Sequence, residues 1–218
     1  ASAAAKELDG LSAEFEQVQS RIREASPEYA ALTQPSPLTV NDIQRRVLDD
    51  NTVLLEYQLG SERSFLWIVS GTTLHAFELP PRAEIDAAAQ NVYKQLTARN
   101  VKPPHEAPGA RALRIARADE EYRAAAATIS SMLLRNAAPL IGGKRLLIVA
   151  EGALHYLPFS ALPEPDTGVP MAVNHEIAVA PSASVMAALR DQIAGRSPAD
   201  KALLVFADPV FSAADSRV

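Results

Sequence analysis

The stretch RLLIVAEGALHYLPFSAL, Arg145–Leu162, decides the fold of this 218-residue chain. Leu146 to Ala150 is a short unbroken apolar run closed by Glu151-Gly152. That pattern predicts a strand buried on both faces that stops at a turn. Pro158, inside the HYLPF segment that follows, has no amide hydrogen to give a sheet and biases Leu157 towards extended backbone. The segment therefore reads as a rigid apolar corner behind a core strand.

Working upstream, Thr52–Gln58 (TVLLEYQ), Arg63–Ser70 (RSFLWIVS) and Thr73–Leu79 (TLHAFEL) are β runs with short connections, which makes antiparallel neighbours the expectation. Phe65 and Trp67 share one face by period two, and Leu66 and Ile68 the other, so partial cover on both faces is expected. Before the runs, Thr39 is a candidate N-cap, with Asp42 three residues on, for a helix burying Val40, Ile43, Val47 and Leu48. Earlier still, Leu8, Leu11, Phe15, Val18 and Ile22 alternate spacings of three and four and form one helical stripe. Two heptads are too few for a coiled coil of its own, so the stripe is expected to pack on this domain or on preceding helices. After the meander, Ala83–Arg99 reads as a helix with Ile85, Val92 and Leu96 inward. The proline-rich segment 100–109 reads as a mobile loop. A longer helix over about 110–136 is marked by Leu113, Tyr122, Ile129, Met132 and Leu133.

Downstream, His175–Ala180 (HEIAVA) reads as a strand and the serines after Pro181 open a helix through Ile193. Lys201–Ala207 (KALLVFA) reads as another buried strand, closed by Asp208-Pro209. Helices interleave with strands, so the expected class is α/β: a mixed β-sheet with flanking helices, preceded by a helical segment. A strand at 201–207 needs neighbours on both sides, and the chain offers no further crossover after it. It reads as the front part of something larger.

Composition narrows the chemistry. With no cysteine there is no disulfide, thiolate metal site or cysteine nucleophile in these 218 residues. The net charge of -5 suggests neither a nucleic-acid arm nor a polybasic membrane patch. No apolar run approaches the ~20 residues that span a bilayer, and no signal-peptide pattern opens the chain. A cytoplasmic protein is the expectation.

Of the four histidines, His155 is the natural candidate base, with Ser160 five residues on. A serine nucleophile also needs an oxyanion hole, and no G-x-S-x-G elbow exposes this one. His155 is therefore read as structural. His75 lies in a strand, His105 in the loop and His175 at the start of a strand. None has ligand spacing, so no metal and no cofactor is expected. Asp119 to Glu121 reads as a solvated helix face. Asp208, at the carboxyl end of a core strand where open sheets place ligand sites, is the one substrate-pocket candidate, against a plain Asp-Pro turn. Glu151 faces the same choice, with the turn favoured.

Taken together, LLIVAEGALHYLPFSALPEPDTG, HEIAVAPSASVMAAL and KALLVFADPVFS resemble the first half of a CHAT domain. The likeness extends upstream through TVLLEYQLGSERSFLWIVS, from about Asn41. The resemblance implies a caspase- and separase-like fold and a cysteine peptidase ancestry, with attack by a thiolate and a histidine base. In the family the histidine lies in a His-Gly motif and the cysteine in a Ser-Ala-Cys motif. Neither motif occurs here, so no catalytic residue is carried over. It further implies a connector at 1–38 to upstream tetratricopeptide-type helical repeats. Residues 39–200 would be a non-catalytic, pseudo-caspase-like half, and 201–218 the truncated first strand of the active half. The partners so implied are the catalytic half of the same polypeptide, the repeats, and a protein substrate or regulator. No nucleic acid or membrane is implied. A stand-alone interaction module without peptidase activity is the alternative.

Overall fold

The computed structural model describes residues 2–33, 36–101, 103–194 and 196–197. The expected strand at 201–207 and the pocket candidate Asp208 lie outside them. In chain order, α1 (Ser2–Ala25) and α2 (Pro27–Thr33) precede α3 (Val40–Asp42), which opens into a π-type turn over Ile43–Val47. The meander follows as β1 (Thr52–Gln58), β2 (Ser64–Val69) and β3 (Leu74–Leu79). Then come α4 (Arg82–Thr97), α5 (Pro108–Leu134), α6 (Ala138–Ile141), β4 (Arg145–Val149), α7 (Met171–Asn174), β5 (Ile177–Ala180) and α8 (Ala183–Ala194).

The sheet has the order β3-β2-β1-β4-β5. The meander pairs antiparallel, whereas β1–β4 and β4–β5 are parallel. Parallel partners require long crossovers, and the α4–α5 hairpin supplies the one between the meander and β4. The central strands β1 and β4 are apolar on both faces because both faces are covered. Val53, Leu55, Tyr57, Leu146 and Ile148 pack with Ile85, Val92, Ile129 and Leu133 of α4 and α5. Leu54, Leu147 and Val149 pack on the other side with Ala183 and Ala187 of α8 and with Val47 and Leu48.

The Thr39 cap forms as a reciprocal box: Asp42 N donates to the Thr39 hydroxyl, and Thr39 N to the Asp42 carboxylate at 3.1 Å. The Thr39 hydroxyl also donates to the Asp42 carboxylate at 2.6 Å, and this bond, then the one from Thr39 N, holds the Asp42 carboxyl below its ordinary range. Three expectations need correction. The helix after Thr39 lasts one turn before widening, so Val40 stays exposed and only Val47 and Leu48 are buried. Leu96 and Leu113 face solvent, because the last turns of α4 and the first turns of α5 run past the sheet. The 100–109 loop is anchored: the Arg114 guanidinium forks onto Glu106 and donates to the carbonyls of Ala98 and Val101. Of the two alternatives for the α1 stripe, packing on this domain is not seen among the described residues: the stripe is exposed and the helix packs chiefly on α2.

Cover on the α8 side is incomplete over the meander. Trp67 and Leu74 remain exposed there, and Glu56 lies on the same face, between Trp67 of β2 and Val149 of β4. Burial pushes the Glu56 carboxyl above its ordinary range. A raised carboxyl destabilises the fold wherever it is ionised in the native state, so the penalty is full above the folded pKa and absent below the unfolded one. Glu56→Gln is therefore expected to raise the melting temperature at pH 7, with the gain vanishing below about pH 4. Thermal unfolding of both proteins across that range checks it.

Candidate functional site

The corner behind β4 is built by a clasp. Glu151 leaves the strand with extended backbone and turns its carboxylate to the β1–β2 loop, where it accepts from Leu59 N at 2.8 Å. Its other oxygen pairs with Arg82 at the start of α4. Arg82 also donates from Nε and Nη2 to the Leu59 carbonyl, at 3.3 and 2.9 Å, and from its own amide to the Gly60 carbonyl. Gly152 sits at φ +59, a backbone conformation that favours glycine, while a Cβ there would meet Asp86 and Leu59 only at ordinary contact distance. Asp86 accepts from Ala153 N at 3.3 Å. The Glu-Gly pair thus does more than terminate a strand. It ties the end of β4 to the β1–β2 loop and to α4.

From this anchor the chain winds through two 3-10 turns, Gly152–Tyr156 and Phe159–Ala161. Leu154, Leu157, Phe159 and Leu162 enter the core, and Phe159 meets the Tyr57 ring at 5.7 Å between centroids. Burial keeps the Tyr57 phenol protonated far above its usual range. His155 and Tyr156 are left pointing outward. Tyr156 meets Tyr93 of α4 edge-on at 6.4 Å, and the pair flanks an open apolar hollow with Ala89, Gln90 and Ala153.

His155 and Ser160 are both exposed, and among the described residues no hydrogen bond joins them or orients either one. A nucleophile–base relay needs both links, and this corner supplies neither. Among the described residues no group of three or more histidine, aspartate or glutamate side chains is placed to hold a metal ion. His75 stacks on Phe77 in β3.

One cluster escaped the sequence reading. His175 precedes β5, is buried, and donates Nδ1–H to the Lys144 carbonyl at 2.7 Å, just before β4. Its Nε2 lies 3.5 Å from Glu164 Oε1. Glu164 also accepts from Asn174 Nδ2 at 2.8 Å and from the Thr167 hydroxyl at 2.9 Å. Those two bonds, with a smaller electrostatic contribution from the neighbouring His175 ring, hold its carboxyl below the ordinary range. The loop closes as a short antiparallel bridge, Pro163 to Pro170, with Gly168 at φ +70. The available signal was Glu-Pro-Asp-Thr-Gly, a turn string with an acceptor at its head. Its long-range partner could not be read from spacing. The cluster fixes the entries of β4 and β5 relative to each other.

Residues 123–217 match the model of the CHAT domain. Over that segment the chain is similar to the CHAT family. No curated protein matches it. The matched CHAT segment opens inside α5 and takes in β4, the HYLPF corner, β5 and α8; the meander lies upstream of it. The match is to a caspase-like peptidase family, and the mixed sheet with helices on both faces is consistent with the α/β architecture of that class.

Proposed function

We propose that this chain is the non-catalytic amino-terminal portion of a CHAT-type caspase-like cysteine peptidase, serving as the scaffold on which the catalytic half is built. The observation that carries the reading is the free edge of β5. Among the described residues β5 pairs only with β4, and Ala178 and Val179 are exposed. Leu146 N donates to the Glu176 carbonyl, and parallel pairing alternates, so the amides of Ile177 and Val179 face the open edge. An unpaired edge is a template for another strand. The absence of cysteine is consistent with a thiolate supplied from beyond these residues. The connector reading of 1–38 belongs to the same proposal: α1 stands away from the sheet, where a repeat array could continue into it.

The test is reconstitution. The chain is mixed with the separately produced residues that follow Val218, which are expected to carry the His-Gly and Ser-Ala-Cys motifs. Peptidase activity is expected only from the mixture. Val179→Pro removes an outward donor without touching the β4–β5 ladder, and is expected to lower reconstituted activity at least tenfold while the isolated chain stays folded. Peptide turnover by the purified chain alone, or reconstitution indifferent to Val179→Pro, would overturn the proposal. A stop codon after Val218 would favour the stand-alone interaction module.

A further inference from the structure

The stripe on α1 is a surface of unusual regularity. Leu8, Leu11, Phe15, Val18 and Ile22 occupy alternating a and d positions, continued by Ala25, and the five large side chains are 40–65% exposed. Val18, Arg21, Ile22 and Ala25 surround a hollow on the helix surface. In heptad terms these are positions d, g, a and d, the four that together receive a knob from a facing helix.

We propose that α1 pairs antiparallel with α1 of a second copy of this chain. The register follows from the stripe and the charges. With Phe15 opposite Val18 of the second copy, Leu11 falls opposite Ile22 and Leu8 opposite Ala25. Every large apolar residue then lies in a layer, and Leu11 of the second copy is the knob for the observed hollow. The flanking g positions hold Glu14 and Arg21, both exposed and without an ion pair among the described residues. In this register Glu14 of each copy faces Arg21 of the other, twice by symmetry. The register one heptad away sets Glu14 against Glu14 at the two-fold axis and leaves Ile22 opposite Ala4. Parallel pairing sets Glu14 and Arg21 against the neutral Gln19 and Ser26. Complementary charge therefore selects one arrangement. The contact spans less than three heptads, short of the ~1,600 Å² of a standard stable interface, so the dimer is weak and concentration-dependent.

Sedimentation of the 218-residue chain across a hundredfold concentration range is expected to show a monomer–dimer equilibrium. Glu14→Arg or Arg21→Glu alone places like charges together and is expected to shift the midpoint at least threefold upward. The double charge swap is expected to restore it. Because the chain has no cysteine, cross-linking reports register directly. A mixture of the Leu11→Cys and Ile22→Cys chains is expected to give a disulfide-linked heterodimer, and Leu11→Cys alone none. Circular dichroism of each variant confirms that α1 remains helical. A monomer at every concentration, as expected if a preceding helix of a longer polypeptide covers the stripe, overturns the proposal. So does a double swap that fails to restore pairing, or a Leu11→Cys self-cross-link. None of these outcomes depends on peptidase reconstitution, so this inference and the scaffold reading fail separately.

Discussion

Leu154→Ala is expected to cost about 2–5 kcal/mol of folding stability, the range for emptying a fully buried leucine site whose surroundings relax only in part. Leu154 is 1% exposed, at the point where the first 3-10 turn enters the core beside α4. The site has little room to collapse, because both ends of that turn are fixed. Glu151 and Gly152 are clasped to Arg82, Asp86 and the β1–β2 loop, and Leu157 and Phe159 are buried behind it. For a chain of this size the loss corresponds to a melting temperature lower by roughly ten degrees. Tyr156→Ala, two residues on, is the control. Tyr156 is 73% exposed, so its replacement forfeits little beyond the edge contact with Tyr93, about 0.5–1.5 kcal/mol. His155→Ala is expected to stay within about 0.5 kcal/mol. Chemical denaturation of the three variants checks the order. If His155→Ala proves as costly as Leu154→Ala, the corner is not the framework described here.

That contrast marks how far the sequence could be read. Apolar runs with one-way chemistry were legible. The β4 run and the three meander strands fall within one or two residues of their expected bounds, because period and turn residues specify them locally. Ile85, Val92, Ile129 and Leu133 were legible as core for the same reason. Leu96 and Leu113 were not, since whether a helical stripe is covered depends on where the helix overhangs its sheet. The α1 stripe makes the same point: periodicity announces a face that needs a partner, and says nothing of which partner supplies it. Glu151 was legible as a turn and illegible as a clasp, since Arg82 and Leu59 are distant in sequence. The short α2 carries no periodic signal at seven residues and was not anticipated.

The Glu164 cluster, equally hidden in the sequence, carries the second large effect. Glu164→Ala is expected to cost about 1–3 kcal/mol, because it deprives Asn174 and Thr167 of their shared acceptor and removes the carboxylate beside the buried His175. Glu164→Gln keeps one acceptor oxygen and is expected to cost less, so the comparison with wild type isolates the charge. The direction with pH follows from linkage. The folded Glu164 carboxyl titrates below its ordinary value, so its contribution is complete above the unfolded glutamate pKa of about 4.3 and is lost as pH falls through the lower folded value. Wild type should exceed Glu164→Gln by a constant margin near neutrality, and the margin should close only in acid. Asp49, lowered by its bonds from Thr52 and Asn51, and Glu106, lowered by Arg114, lose their contributions in the same acid window. They are common to both proteins and cancel in the difference. A margin that persists unchanged below pH 3 would mean that packing of the 163–170 loop, and not the ionised carboxylate, holds β4 and β5 in register. Since the edge of β5 that is unpaired among the described residues is where the catalytic half is proposed to join, the same two variants should lower reconstituted activity in the order of their stability losses.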